Sequence, residues 1–241
     1  MKMFPRIKTF LLLLGSLSAM ISFVPGQTAE DFGAIRGQIL ITRNDRNDLM
    51  GRQRISGRYL SRSERSPESA ASVLPDRYTI PEKAVVYLEP DESMRNRIVS
   101  RSSARVILDQ RDLMFYPHVL PIQQGTTVVF PNNDNVYHNV FSYSKPRQFD
   151  LGRYPQGQFR TVRFDTPGVV RIYCDIHAHM NAVILVLDNT FFTSPDESGN
   201  YSIPDVPAGR YTAHFWYGRN LVESREIDIR SGSTSTLNFI Y

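Results

Sequence analysis

The sequence predicts an all-β chain built from two sandwiches. Three observations predict it. Apolar residues recur at every second position in short runs, the spacing of strands with one buried face. Glycine and proline, 14 and 15 of them in 241 residues, punctuate those runs together with Asn and Asp, as turns between short strands require. Helical periodicity is hard to find anywhere along the chain.

The first segment is a leader rather than part of a fold. Lys2, Arg6 and Lys8 precede an uncharged run from Phe10 to Val24, and Pro25 to Ala29 then lead to Glu30 and Asp31. A basic start, a short apolar stretch and small residues predict a signal peptide over 1–29, too short for a comfortable membrane span. Gln27 fits poorly three places before a cut after Ala29, and no cysteine lies near for lipid attachment. An uncleaved amphiphilic anchor is the alternative. Export to the periplasm or cell surface is expected, with no membrane span in the mature chain. Cleavage also changes the charge. The whole chain has 28 Lys and Arg against 24 Asp and Glu; three of the bases and none of the acids lie in 1–29, leaving 25 against 24, a net of +1. The pI of 9.2 is thus partly a property of the leader and does not indicate nucleic-acid binding.

Ile35 to Thr42 is the first strand, with Gly37 inside it. Arg43 to Thr79 then runs through R-N-D-R-N-D, G-R-Q-R and S-R-S-E-R-S-P-E-S. Such a stretch buries little and predicts a long, mobile Arg/Ser-rich loop over 43–79, whose interleaved acids favour solvation over anion binding. Pro81 to Glu89 is a strand. Asp91 to Ser103 reads as a polar connection. Val106 to His118 and Pro121 to Pro131 follow, the second with a turn at Gly125 and a strand ending at Pro131. Phe130 to Ser142 carries an N-x-D turn and then a strand in which Val136, His138 and Val140 share a face. Ser144 to Gly157, with Pro146 and Pro155, reads as a loop. Gln158 to Asp165 is a strand, and Thr166-Pro-Gly168 turns the chain into the next.

That next strand carries the chemistry. Val170, Ile172 and Cys174 point the same way, and Ala182 to Leu187 forms the returning strand. Cys174 is the single cysteine, so no internal disulfide exists, and an exported lone thiol needs protection by burial or by a metal. His177 follows three residues later and Met180 three after that. A soft sulfur at a strand end with an imidazole and a thioether in a short loop is what a copper site needs. Cu(I) prefers thiolate and thioether, Cu(II) tolerates imidazole, and His2Cys with a weak axial Met is the electron-transfer pattern. His138, between two core-type residues, is the candidate second imidazole. Taken singly, Cys174 and Met180 also read as buried core residues, and His138 as a hydrogen-bonded strand histidine; the joint spacing is what favours a metal.

With His138-Asn139-Val140 and Cys174-x-x-His177-x-x-Met180, about Ile107 to Leu187 resembles the cupredoxins, the plastocyanin and amicyanin family. The resemblance implies a Greek-key sandwich over 104–188 with one type 1 copper held by His138, Cys174, His177 and Met180. It also implies a hydrogen bond from Asn139 across to the cysteine loop.

Asp196 to Tyr211 alternates turn residues with single core residues, before strands at Tyr211 to Tyr217, Val222 to Ile229 and Thr236 to Tyr241. The run G-N-Y-S-I-P-D-V-P-A-G-R-Y resembles the carboxypeptidase-regulatory-like or prealbumin-like sandwich, an Ig-type β-sandwich. The opening strands of that family have counterparts at Gly37-Gln-Ile39 and Pro81 to Val85. The resemblance implies one discontinuous sandwich, 33–100 with 189–241, interrupted by the copper-binding block. The whole arrangement resembles exported proteins described as plastocyanin-like or methylamine-utilisation-like.

Three function classes remain. A one-electron carrier with a redox partner protein is the first. Copper storage, delivery or sensing is the second, using His179 and His118 as exchangeable ligands. An adhesive or scaffold module with secondary metal binding is the third. Enzyme activity is not expected, since the sequence has no second metal cluster, no paired His-x-His motifs of an oxidase and no nucleophile with a plausible base. His214, on the later strand, is expected to be structural.

Overall fold

A computed structural model of the chain describes residues 31–41, 81–98 and 100–241. The expected leader and the expected Arg/Ser-rich loop lie outside the described residues. Strands dominate what is described, and the chain is all-β. Among the described residues no helix is long and apolar enough to cross a membrane.

The first sandwich has a sheet in the order β10 (Phe159–Phe164), β7 (Thr126–Pro131) and β3 (Arg105–Ile107). Facing it are β6 (Val119–Gln123), β12 (Asn181–Leu187), β11 (Gly168–Tyr173), β8 (His138–Ser142) and β9 (Phe149–Tyr154), also in spatial order. A small hairpin, β4 (Asp109–Arg111) with β5 (Met114–Tyr116), lies beside them. The chain changes sheet from β6 to β7, β7 to β8, β9 to β10 and β10 to β11, the crossed connectivity of a Greek-key sandwich. Alternation puts Val128, Phe130, Val162, Phe164, Val170, Ile172 and Ile184 into one apolar core. Removing such side chains from water is the main stabilising term, at roughly 1.5–3 kcal/mol for each large one.

The second sandwich pairs β1 (Phe32–Leu40) with β14 (Asn200–Pro207) on one side and β17 (Thr234–Thr236) on the other, with β18 (Phe239–Ile240) continuing alongside β1. Its other sheet runs β13 (Phe192–Thr193), β2 (Ala84–Pro90), β15 (Gly209–Tyr217) and β16 (Asn220–Ile229). Ile35, Ile39, Val86, Leu88, Tyr211, Phe215 and Phe239 fill the space between. β1 and β2 precede the first sandwich in the chain, and their pairing partners follow it.

Two segments differ from expectation. The connection after Asp91 contains a helix, α1 (Glu92–Ile98), which opens with Ser93 N–H donating to Asp91 Oδ1 at 3.2 Å. Ser144 to Gly157, expected as a loop, contains β9. It is an edge strand with exposed polar positions, which weakens its apolar alternation.

The two sandwiches meet through a third apolar cluster. The outer faces of β2 and β15 offer Val85, Tyr87 and Trp216. Val119 of β6, Val169 of β11, and Val183 and Leu185 of β12 meet them. His214 of β15 borders this face, nine-tenths buried and stacked on Tyr87 with ring centroids 4.7 Å apart. Its Nδ1 is 2.8 Å from Ser224 Oγ and its Nε2 3.2 Å from Glu89 Oε2. Burial holds its pKa below the ordinary 6.5, opposed by Glu89. A base depressed in this way binds its proton more readily when unfolded. The stability it contributes is complete above pH 6.5 and declines as pH falls toward the depressed value. The urea midpoint of the metal-free protein should therefore drop below pH 6.5, and His214→Gln should shallow that drop by at most about 1.4 kcal/mol per pH unit. An unchanged slope would show that His214 contributes nothing to it.

Candidate metal centre

β8, β11 and β12 bring the donors together at one end of the first sandwich. Tyr173 ends β11 and pairs with both Asn181 and Phe141, so Cys174 emerges beside the start of β12 and next to β8. Val170, Ile172 and Cys174 all face the core, as their alternation predicts. The loop then closes tightly. Met180 N–H donates to the His177 carbonyl at 2.9 Å, and Cys174 N–H to the Met180 carbonyl at 3.3 Å. Outside it, Arg153 and Asp175 form an exposed ion pair at 2.9 Å, worth about 0–1 kcal/mol.

His138, Cys174 and His177 converge. The Nδ1 atoms of His138 and His177 are 3.1 Å apart, and Cys174 Sγ lies 3.9 Å from the first and 3.8 Å from the second. Metal bonds of about 2.3 Å to sulfur and about 2.0–2.1 Å to nitrogen place such donors roughly 3.8 Å apart in a trigonal arrangement. The two sulfur–nitrogen separations match. The nitrogen–nitrogen separation is shorter than the roughly 3.5 Å of an ideal trigonal set and corresponds to a tighter angle between the imidazoles. Met180 is fully buried in the same apolar cluster as Cys174. Cys174 is 5% exposed, so the thiol is shielded from oxidants in solution. A cysteine sulfur and two converging imidazoles, with a buried thioether in the adjoining core, suit copper by donor softness.

The imidazoles differ. His138 is fully buried, whereas His177 is partly exposed. Burial, then the neighbouring His138 and His179, holds the His177 pKa below its ordinary value, against Asp134 and Asp175. That favours the neutral ring, the form that binds metals. His179 is exposed with its ring 6.2 Å from His177. His179 and His118 fall outside the convergent group.

Two expectations are corrected. Val136, expected on the face of His138, precedes the strand and is 43% exposed, because β8 begins only at His138. Asn139 does not reach the cysteine loop through its side-chain amide. Its Nδ2 donates to Asp150 Oδ1 at 2.8 Å, and its buried Oδ1 has no hydrogen-bond partner. The pairing of β8 with β9 slips between Asn139 and Phe141, and this bulge puts the carboxylate of β9 within reach.

The sequence reading left out Asp134 and Asn132. Asn132, fully buried, folds the turn before β8: its Nδ2 donates to the Val136 and Tyr154 carbonyls at 2.8 and 3.0 Å, and its Oδ1 accepts from Asp134 N–H at 3.0 Å. Asp134 then places Oδ2 2.8 Å from His138 Nε2. The signal that could have found it is an acid four residues before a ligand histidine, in a turn rich in Asn and Asp.

Among known proteins, the family described as polysaccharide lyase family 4, domain II, matches residues 179–237. The stretch from β12 to β17 is thus similar to a module that neither expected sandwich family named. No curated protein matches the chain. Of solved structures, the purple cupredoxin from Nitrosopumilus maritimus is 26% identical over 35% of this chain and 99% of its own, at a TM-score of 0.31. Amicyanin from Paracoccus versutus is 19% identical over 34% of this chain and 81% of its own, also at 0.31. The copper-containing nitrite reductase from Thermus scotoductus is 25% identical over 40% of this chain, which spans 27% of that enzyme's length, at 0.34. At such scores the likeness adds no weight, and the character of the centre rests on its own donor set.

Proposed function

We propose that the protein is an exported type 1 copper protein that carries one electron at a time to or from a redox partner protein, without being an enzyme. The convergence of Cys174 Sγ with the Nδ1 atoms of His138 and His177 carries this reading. Copper bound there would supply a one-electron couple between Cu(I) and Cu(II). Cys174 would contribute the thiolate, His138 and His177 the imidazoles, and Met180 a weak thioether donor. His138 sits in β8, and the hydrogen-bonded loop between β11 and β12 carries the other three, a frame whose geometry should change little with oxidation state, as outer-sphere transfer requires. Exposed Val136, Tyr137 and Ile176, each close in sequence to a ligand histidine, offer apolar surface for partner docking.

Absorption and reversible voltammetry after Cu(II) addition test the reading, and the loop variants refine it. Met180→Leu should keep the colour and raise the reduction potential, since losing a weak donor favours Cu(I). His179→Ala should leave spectrum and potential nearly unchanged. His177→Ala should open the site to added imidazole. One observation favours a second reading, copper storage or delivery: His179 is exposed beside His177. If His179→Ala bleaches the protein while Met180→Leu does nothing, that reading replaces the first.

A further inference from the structure

We infer that Asp134 positions His138 for the metal, and that the same carboxylate latches the strained turn between β4 and β5. This deepens the copper reading and rests on it for the identity of the ligand. An imidazole has two neutral tautomers, and the partner of one nitrogen decides which the other presents. His138 has no solvent to arbitrate, being fully buried. Its Nε2 meets Asp134 Oδ2 at 2.8 Å. An ionised carboxylate only accepts, so Nε2 carries the hydrogen and Nδ1 keeps its lone pair. That lone pair faces Cys174 Sγ at 3.9 Å and His177 Nδ1 at 3.1 Å. His177, facing a bare Nδ1, donates its own Nδ1–H in the metal-free protein. A carboxylate bonded to a ligand histidine fixes its orientation and strengthens it as a donor.

Asp134 is itself held from the other side. Its Oδ1 accepts from Asp112 N–H at 2.7 Å and its Oδ2 from Leu113 N–H at 3.0 Å. Asp112 and Leu113 are the two turn residues between β4 and β5, with φ of 54° and 57°. Two successive left-handed residues suit Asn-Gly; a leucine there is strained, and such strain persists only where surroundings enforce it. Here the surroundings are the two bonds to Asp134 and the packing of Leu113 against the first core. One carboxylate therefore ties a hairpin 21 and 22 residues upstream to the buried imidazole.

The plainer alternative is that Asp134 only caps the turn. Full-length Asp134→Ala, Asp134→Asn and Asp112→Gly separate the two. Nitrogen-15 NMR of the histidine rings in metal-free protein at pH 8 should show wild-type His138 as the Nε2–H tautomer. Asp134→Ala should mix the tautomers and weaken Cu(II) binding about 10- to 100-fold. Asp134→Asn keeps an acceptor oxygen, so it should retain the colour but raise the reduction potential, the negative charge being gone. Asp112→Gly relieves strain while keeping its N–H, so it should leave tautomer and potential unchanged. If Asp134→Ala keeps the wild-type tautomer and Cu(II) affinity and lowers only the unfolding midpoint, Asp134 is a turn cap and the inference is overturned. Should Asp134→Ala fail to fold, an unchanged potential in Asp134→Asn overturns it equally. A wild-type protein that stays colourless with Cu(II) would instead defeat the copper reading, while the metal-free tautomer comparison still decides the role of Asp134.

Discussion

Cys174→Ser should lose the whole of the intense visible absorption expected of the wild-type protein with Cu(II). The band requires charge transfer from a thiolate, and Cys174 is the single cysteine in the chain. A serine oxygen in place of Sγ is a harder and more weakly donating atom for copper. The fold should survive, because the lost burial is one small group. Expected, then, is a folded, colourless protein with much weakened copper affinity. Retained colour would refute the site as drawn. Retained tight binding without colour would point to a histidine-based copper-handling loop.

Gly37→Ala should destabilise the protein by about 3 kcal/mol or more, at or beyond the upper end for a single added methyl. Gly37 lies in β1, between β14 and the chain joining β17 to β18. A Cβ built there falls 1.7 Å from the Leu237 carbonyl oxygen and 2.9 Å from the Tyr201 ring. The first obstacle is backbone, so no rotamer change relieves it. The chain at Leu237, whose N–H bonds to the Arg36 carbonyl at 2.9 Å, must move away and lose pairing with β1. The visible band of the folded copper protein should be unchanged, since the donors belong to the other core. A midpoint within 0.5 kcal/mol of wild type, the range of an ordinary surface change, would show that β1 is peripheral. It would equally undo the discontinuous reading of 33–100 with 189–241 as one sandwich.

The features legible in the sequence were those written in local spacing. Alternation through Val170, Ile172 and Cys174 set the inward direction of the thiol. The three-residue steps to His177 and Met180 marked a closing loop, and the apolar neighbour Val140 set His138 apart. What escaped depends on contacts between distant segments or on weak local pattern. Asp134 looked like one more turn acid, because its partners Asp112 and Leu113 belong to a hairpin whose proximity only the fold reveals. Asn139 was assigned the wrong partner because a bulge between β8 and β9 leaves no trace in composition. β9 was missed because an edge strand with Asp150, Gly152 and Arg153 shows little alternation. The seven-residue α1 is too short for a 3.6-residue period to register.

The apolar seam of Val85, Tyr87, Trp216, Val119, Val169, Val183 and Leu185 bears on the proposed electron transfer. Modules joined by a single flexible linker tumble relative to each other, and large hydrophobic contacts suppress that motion. Here the chain crosses between the sandwiches before β3 and again after β12. Arg219 of the β15–β16 turn also donates to Tyr173 Oη at 3.1 Å, one residue before the thiol. A partner grasped by the second sandwich would therefore meet the Cys174 end at one fixed separation and angle. Because tunnelling rates fall steeply with separation, the binding geometry of one sandwich would set the electron-transfer rate of the other.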